Sequence, residues 1–158
     1  MESFSVELGR NSHPVHSGAG LLEQAGELAR AAGLKPGRAA LITDTNVSLL
    51  YAGRVTDALV AAGFEPVTIE VPAGEASKSL EVLSGLYDRM VEAHLDRSST
   101  IFALGGGVTG DLVGFAAATF LRGIALVQLP TTLTAQVDSA LGGKTGINHP
   151  AAKNLIGA

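Results

Sequence analysis

The chain has 158 residues, of which 46% are hydrophobic, 16% charged and 4% aromatic; this composition predicts one folded domain with an aliphatic core and excludes a disordered chain. The net charge of −4, without any run of Lys or Arg, argues against a nucleic-acid-binding protein. Because the chain contains no cysteine, disulfides and thiolate metal sites are excluded.

Predicted strands and helices alternate through the first 130 residues. Residues 3–9 alternate apolar and polar side chains and predict a half-buried strand, and residues 20–33 carry apolar side chains at helical spacing. The same order then repeats, with predicted strands at 38–43, 66–71, 100–104 and 124–129 and predicted helices at 46–63, 79–95 and 108–121. The alternation predicts an α/β fold: a Rossmann-like, doubly wound, mainly parallel sheet with helices on both faces.

The pattern weakens after Pro130, where one short helical stretch lies among Gly, Thr and Asn residues. We interpret 131–158 as a Gly/Thr-rich active-site segment of the same single domain, 1–158. The longest apolar stretch, 112–129, is interrupted by Arg122 and Gly123, so no membrane-spanning segment is predicted, and we expect a cytoplasmic protein.

A glycine-rich turn follows the predicted strand 100–104. Gly105, Gly107 and Gly110 fit the spacing G-x-G-x-x-G, which lets a phosphate approach the backbone N–H groups at a helix N-terminus. We also expect glycine there because the turn requires positive φ. The motif alone is weak evidence, since such a turn can instead serve only close helix packing.

The acidic residue of a conventional dinucleotide-binding unit is missing from its usual place. It should lie roughly 20 positions on, at the end of the next strand, where this chain has "LPTT" at 129–132. The nearest equivalents are Asp44 after the second predicted strand and Glu75 after the third. We therefore expect the earlier strands to hold the nucleoside and the glycine turn to hold the pyrophosphate, which would account for the turn's late position.

The spacing of the residues argues against two other kinds of site, an ATPase phosphate-binding loop and a metal site. "GGKT" at 142–145 resembles the end of an ATPase phosphate-binding loop, but that motif requires glycine at position 138, which is Asp138. His13, His16 and His94 show no metal-ligand spacing, so we expect no metal site within this chain. The polar segment 138–154 is either an active-site loop or a solvated surface connection, and the residues alone leave both alternatives open.

The segment "GGGVTGDLVGFAAATFLRGIALVQLPTTLTAQVDSALGGKTGINHPAAKNLIGA" resembles the signature region of the 3-dehydroquinate synthase family. "PAGEASK" and "TDTNV" stand where that family has nucleotide-binding segments. The resemblance covers essentially the whole chain, and "GGKTGINHP" followed by "KNLIGA" favours this family over its cyclitol-forming relatives. Two small departures are Thr134, usually aliphatic in the family, and Ala140, where a second serine is frequent.

The resemblance implies an NAD-dependent lyase of the shikimate pathway, which leads to the aromatic amino acids. Such an enzyme converts 3-deoxy-arabino-heptulosonate 7-phosphate to 3-dehydroquinate and phosphate by oxidation, β-elimination, reduction and aldol cyclisation. Family members are much longer, with a divalent metal, zinc or cobalt, bound by a second, mostly helical domain that this chain lacks. We therefore expect this chain to be the NAD-binding N-terminal half, part of a homodimer and inactive alone.

The resemblance also assigns roles by motif. It places the pyrophosphate and adjoining ribose on Gly106, Gly107, Val108, Thr109, Gly110 and Asp111. It places the adenosine end near Asp44, Asn46, Gly74, Glu75 and Lys78. The nicotinamide side would be lined by Thr131, Thr132, Asp138 and Ser139, with Lys144 and Lys153 beside both cofactor and substrate. The expected catalytic or substrate-binding residues are Asp138, Lys144, Lys153, Asn154 and Arg122, the last reaching the sugar-acid phosphate across a dimer interface.

Two other classes remain open on the sequence. One is the N-terminal half of an iron-dependent alcohol or glycerol dehydrogenase, which resembles this architecture and carries a glycine-rich turn with an aspartate beyond it. The other is a nucleotide-binding domain that keeps the fold without catalysing a reaction.

Overall fold

The computed structural model describes residues 1–9 and 12–158. In chain order the strands are β1 (Glu2–Val6), β2 (His13–Ser17), β3 (Arg38–Asp44), β4 (Glu65–Val71), β5 (Thr100–Gly105), β6 (Ala125–Pro130), β7 (Gly146–His149) and β8 (Ala152–Gly157). The helices are α1 (Ala25–Ala31), α2 (Thr45–Val47), α3 (Gly53–Ala61), α4 (Leu80–Glu92) and α5 (Gly107–Thr119). Shorter 3-10 turns lie at Leu22–Gln24, Glu75–Ser77 and Phe120–Arg122, and π-helical turns at Ser48–Ala52 and Ala135–Ser139.

A four-stranded sheet in the order β4-β3-β5-β6 forms the centre of the fold, and all its neighbouring strands are parallel. Alternate residues of one strand enter different cores, because successive side chains point to opposite faces. Ile42 of β3 packs in a core with side chains of α4 and α5, whereas Leu41 packs in a core with side chains of α1 and α3. The predicted fold class is confirmed: helices cover both faces of a parallel sheet.

The first predicted strand, 3–9, does not join this sheet. β1 ends at Val6 and pairs antiparallel with β2, a strand that the sequence pattern does not reveal. A short connection returns the chain antiparallel, whereas parallel pairing would need a crossover of a dozen or more residues. The two strands form their own sheet, in which Phe4 is about half exposed, and the prediction of a strand–helix unit starting at residue 3 is therefore wrong.

Three predicted helices differ from the observed ones. The helix predicted at 20–33 is a 3-10 turn followed by the short α1, and the one predicted at 46–63 is α2 and α3 joined by a π-helical turn. The helix predicted at 108–121 ends at Thr119, because Leu121 and Arg122 adopt left-handed backbone conformations with φ of 51° and 67°. None of the helices in the described part of the chain is long and apolar enough to cross a membrane.

The last segment contains a β-hairpin that the sequence does not predict. β7 and β8 pair antiparallel, with an irregular register between Ile147 and His149. Two glycines, Gly146 and Gly157, let the strands approach closely, since a Cβ on Gly157 would lie 2.3 Å from the carbonyl oxygen of Thr145. The same glycines weaken the strand pattern in the sequence.

Two glycine-to-alanine substitutions should have opposite effects on stability, because one glycine is required for close helix packing and the other only adds flexibility to the unfolded chain. A Cβ on Gly26 of α1 would lie 2.5 Å from Ala62 Cβ and 2.6 Å from the backbone oxygen of Ala58. We expect Gly26→Ala to lower the free energy of unfolding by about 1–3 kcal/mol through overpacking. Gly85 of α4 is exposed with no atom within 4 Å, so Gly85→Ala should raise it by about 0.5–1 kcal/mol. Urea unfolding of both variants measures this, and changes of the same sign would contradict it.

Candidate functional site

The order of the parallel strands creates a crevice at their carboxyl ends. β4 lies on one side of β3, while β5 and β6 lie on the other, so the connections leaving β3 and β5 run to opposite sides. Such a switch point is where open α/β sheets bind ligands. A cleft of about 330 Å³ lies there, lined by the glycine turn 106–109 together with Asp44, Asn46, Val47, Ala73, Gly74 and Thr132. The glycine turn comes late in the chain because it follows β5, the first strand beyond the switch point.

The glycine turn presents the N-terminus of α5 to this cleft. Gly106 is the N-cap of the helix, and no side chain caps the first N–H groups. The first N–H groups of a helix have no intrahelical partner and carry the positive end of the helix dipole, which favours an anion. The turn can therefore bind a phosphate through its backbone.

The expected reason for glycine in this turn is wrong. Gly105, Gly106, Gly107 and Gly110 all have negative or extended φ. Space is the constraint instead: a Cβ would lie 2.6 Å from the Thr109 side chain at Gly105 and 3.1 Å from Thr132 Cγ2 at Gly106. At Gly107 it would lie 3.3 Å from Ser139 Oγ. The turn forms a cradle that side chains would fill.

Asp44 joins the two sides of the cleft. Its Oδ1 accepts hydrogen bonds from the backbone N–H groups of Asn46 (3.0 Å) and Val47 (3.1 Å), as the N-cap of α2. Its Oδ2 accepts a hydrogen bond from Thr109 Oγ1 at 3.1 Å. The carboxylate is thus held in place between the ends of β3 and β5, and Oδ2, which accepts only one hydrogen bond here, keeps capacity to accept another from a ligand hydroxyl.

A second group of polar side chains surrounds Lys78. We call it the lysine cluster, and it consists of Glu75, Lys78, Asp111, Asn148, Lys153 and Asn154. The Lys78 side chain is only 4% exposed, and its Nζ donates to Asp111 Oδ2 at 2.7 Å and to Asn154 Oδ1. Because a buried ammonium is costly unless paired, this position depends on Asp111.

Asn148 connects three members of the lysine cluster and is not among the predicted site residues. Lying at the register irregularity of the β7–β8 hairpin, it donates its backbone N–H to the Lys78 carbonyl oxygen at 2.8 Å. Its Nδ2 donates to Glu75 Oε1 at 2.8 Å, and its Oδ1 accepts from the Asn154 N–H at 2.9 Å. In the sequence it is one polar residue in the turn-like "GINHP", which gives no signal of these contacts.

Most of the predicted cofactor residues fall into two groups, the cleft lining and the lysine cluster. Eight of them line the cleft: Asp44, Asn46, Gly74, Gly106, Gly107, Val108, Thr109 and Thr132. Glu75, Lys78, Asp111 and Lys153 belong to the lysine cluster, where Lys153 Nζ lies 3.9 Å from Glu75 Oε1. In the described chain these four are not among the residues that line the cleft.

The remaining predicted cofactor residues are not among those that line the cleft in the described structure. Gly110 packs against Gln128 of β6, whose Nε2 donates to the Gly110 carbonyl oxygen at 3.2 Å. The Thr131 N–H donates to the Gly105 carbonyl oxygen at 2.9 Å, while Thr131 Oγ1 is buried without a hydrogen-bond partner in the described structure. Asp138 and Ser139 lie in the π-helical turn that follows, and Lys144 is exposed before β7.

Arg122 lies far from these groups within the chain. α5 begins at the cleft with Gly107 and runs 13 residues to Thr119, or roughly 20 Å at the usual helical rise. Arg122 follows its C-terminus and is exposed at the other end of the sheet. No cluster of three His, Asp or Glu side chains that could hold a metal ion occurs within residues 1–9 and 12–158.

Comparison with known proteins agrees with this geometry. The family model described as "3-dehydroquinate synthase N-terminal" matches residues 68–158, more than half of the chain. A 3-dehydroquinate synthase of Geobacter metallireducens is 54% identical over 159 residues, and the match covers all of this chain but 44% of that relative.

Solved structures of related enzymes show the same fold. 2-Deoxy-scyllo-inosose synthase, in complex with carbaglucose-6-phosphate, NAD+ and Co2+, is 26% identical with a TM-score of 0.89 over 99% of this chain and 42% of its own. 2-Epi-5-epi-valiolone synthase of Streptomyces hygroscopicus, with NAD+ and Zn2+ bound, is 32% identical with a TM-score of 0.74 over 83% of this chain and 36% of its own. The family model, the curated relative and the fold together establish that this chain belongs to the 3-dehydroquinate synthase family, in its N-terminal part.

Proposed function

We propose that this chain is the NAD-binding part of a 3-dehydroquinate synthase that converts 3-deoxy-arabino-heptulosonate 7-phosphate to 3-dehydroquinate and phosphate. The observation that carries the proposal is the cleft at the switch point, into which α5 presents an uncapped N-terminus framed by Gly106 and Gly107. The chain spans less than half the length of the curated relative described above, so the complete reaction requires more protein than is present here.

The residues around the cleft fit a dinucleotide. The N–H groups at 106–109 suit the pyrophosphate, and the carboxylate of Asp44 suits a ribose hydroxyl. The positive φ of 105° at Gly74 shapes the turn on the opposite wall. When bound, NAD would supply reversible oxidation of a substrate hydroxyl. The chain's own contribution is to hold the cofactor in a fixed position between β3 and β5.

The lysine cluster and the segment before β7 suit the substrate, which carries a carboxylate and a phosphate. Lys153 of the lysine cluster and Lys144, which precedes β7, are both exposed, and either can neutralise an anionic group. Asn154 offers an amide to a hydroxyl or carboxylate oxygen. Arg122 lies at the far end of α5 from the cleft, so its proposed contact with the substrate phosphate would come from another subunit of a homodimer.

The described residues do not fit the divalent metal found in the related structures. They contain no cluster of three ligating side chains, so the metal would be bound by a part of the protein beyond this domain. We therefore assign no step of the reaction in this chain to a metal.

A turnover assay tests the proposal and separates it from a dehydrogenase. The chain joined to the remaining length of a family member should release phosphate from the heptulosonate phosphate in the presence of NAD and zinc. An iron-dependent alcohol or glycerol dehydrogenase would oxidise an alcohol without releasing phosphate. The 158-residue chain alone should release none, because its described residues offer no cluster of three metal-ligating side chains. Dehydroquinate formation by the chain alone would contradict the proposal that the reaction requires a further part of the protein.

A further inference from the structure

Lys78 fixes which end of the Asn154 amide faces a ligand. An ammonium group has three donors and no acceptor, so the Asn154 atom that contacts Lys78 Nζ is the amide oxygen. The amide nitrogen Nδ2 then points away from Lys78, and the Asn154 residue is exposed. Asp111 Oδ2, 2.7 Å from the same ammonium, holds Lys78 in place from α5.

The backbone of Asn154 is also held in an uncommon conformation. Its φ is +53°, in the left-handed region that non-glycine residues rarely occupy. Asn148 Oδ1 accepts the Asn154 N–H at 2.9 Å, and the Asn148 N–H is bonded to the Lys78 carbonyl oxygen. The turn 75–78 therefore contacts Asn154 directly through the Lys78 ammonium, and it also holds Asn148, which accepts the Asn154 N–H.

We propose that Lys78 is a positioning residue for Asn154, which it orients so that the amide nitrogen donates to an oxygen of the anionic substrate. This rests on the proposed function for the identity of the substrate. It differs from the role expected from the family resemblance, a contact to the adenosine end of NAD. The geometry favours positioning because the ammonium is almost fully buried and already donates to Asp111 and Asn154.

Asp111 explains why the lysine can serve this purpose. It lies one helical turn after Gly107, which lines the cleft, so the Lys78–Asp111 pair joins the helix of the cofactor cleft to the β7–β8 hairpin. Loss of the ammonium should free the Asn154 amide to rotate while leaving the N–H groups at 106–109 unchanged. A positioning role for Lys78 and a cofactor-contact role for Lys78 thus predict different observations.

Side-chain ¹⁵N relaxation of the 158-residue chain tests the proposal. In the unaltered chain we expect an order parameter above about 0.8 for Asn154 Nδ2, and below about 0.6 in Lys78→Met/Asp111→Asn. This double variant removes the ammonium without leaving Asp111 ionised and unpaired. NAD affinity is measured in Lys78→Met alone, which keeps the partly exposed Asp111 carboxylate, and should change less than about threefold. Lys35→Met, a change of an exposed lysine before β3, is the matched control and should alter neither quantity.

Three results would overturn the proposal. One is a mobile Asn154 amide in the unaltered chain, a measurement that does not depend on any variant folding. Another is an Asn154 amide that stays rigid in the double variant. The third is a loss of NAD affinity of about tenfold or more in Lys78→Met with the Asn154 amide still rigid, which would make Lys78 a cofactor contact. If the unaltered chain binds no NAD, the proposed function fails, but the mobility of Asn154 still decides the role of Lys78.

Discussion

Asp111→Ala should lower the free energy of unfolding by about 3–5 kcal/mol, among the largest effects of any single substitution in this chain. The variant leaves the Lys78 ammonium, which is 4% exposed, without the carboxylate 2.7 Å away. Removal of one partner from a buried ion pair is costly because the other charge stays buried and uncompensated. Urea unfolding followed by circular dichroism measures the change.

Two further variants establish the cause of that loss. Asp57→Ala removes an exposed carboxylate from α3 and should change stability by no more than about 0.5 kcal/mol. Lys78→Met/Asp111→Asn removes both charges and should recover most of the stability lost in Asp111→Ala. A double variant as unstable as Asp111→Ala would show that packing of Asp111, rather than its charge, is what matters. The same reasoning makes Asp111→Ala a poor probe of NAD binding, since lost affinity could reflect unfolding.

Gly107→Val should weaken NAD binding by about tenfold or more, equivalent to at least 1.4 kcal/mol. A Cβ at this position lies 3.3 Å from Ser139 Oγ, so the larger side chain fills the cradle in front of the N–H groups of α5. The phosphate oxygens would then be kept from hydrogen-bond distance. Calorimetric titration with NAD measures the affinity.

The control for this loss is Gly85→Ala in α4, where no atom lies within 4 Å of the added Cβ. It should leave NAD affinity unchanged while the chain remains folded. Undiminished NAD affinity in a folded Gly107→Val chain would mean that the pyrophosphate does not bind at the glycine turn.

The parallel sheet could be predicted from the sequence, whereas the hairpins at both ends of the chain could not. Strands buried on both faces, such as β5, appear as continuous apolar runs followed by helices of clear periodicity. β2 is a five-residue strand that contains Pro14, and β7 and β8 are glycine-containing strands stabilised by each other. Their pairing depends on contacts that no local pattern records.

The location of the cleft could also be predicted in part. The glycine spacing and the aspartate after β3 indicated the correct ends of the strands, although positive φ was the wrong reason for the glycines. Five members of the lysine cluster were predicted as site residues, but their grouping could not be, because it joins the turn at 75–78, α5 and the β7–β8 hairpin, which are far apart in the sequence. Asn148 illustrates this, since all three of its hydrogen bonds lead to residues of other segments or across the hairpin.

Titration of the unaltered 158-residue chain with NAD, followed by backbone amide chemical shifts, tests the central claim most directly. The account predicts saturable binding, with the largest shift changes at 44–46, Gly74, 106–109 and Thr132, the residues around the cleft. A folded chain that shows no saturable change, or one whose changes lie away from the carboxyl ends of β3 and β5, would contradict the assignment of the cleft as the cofactor site.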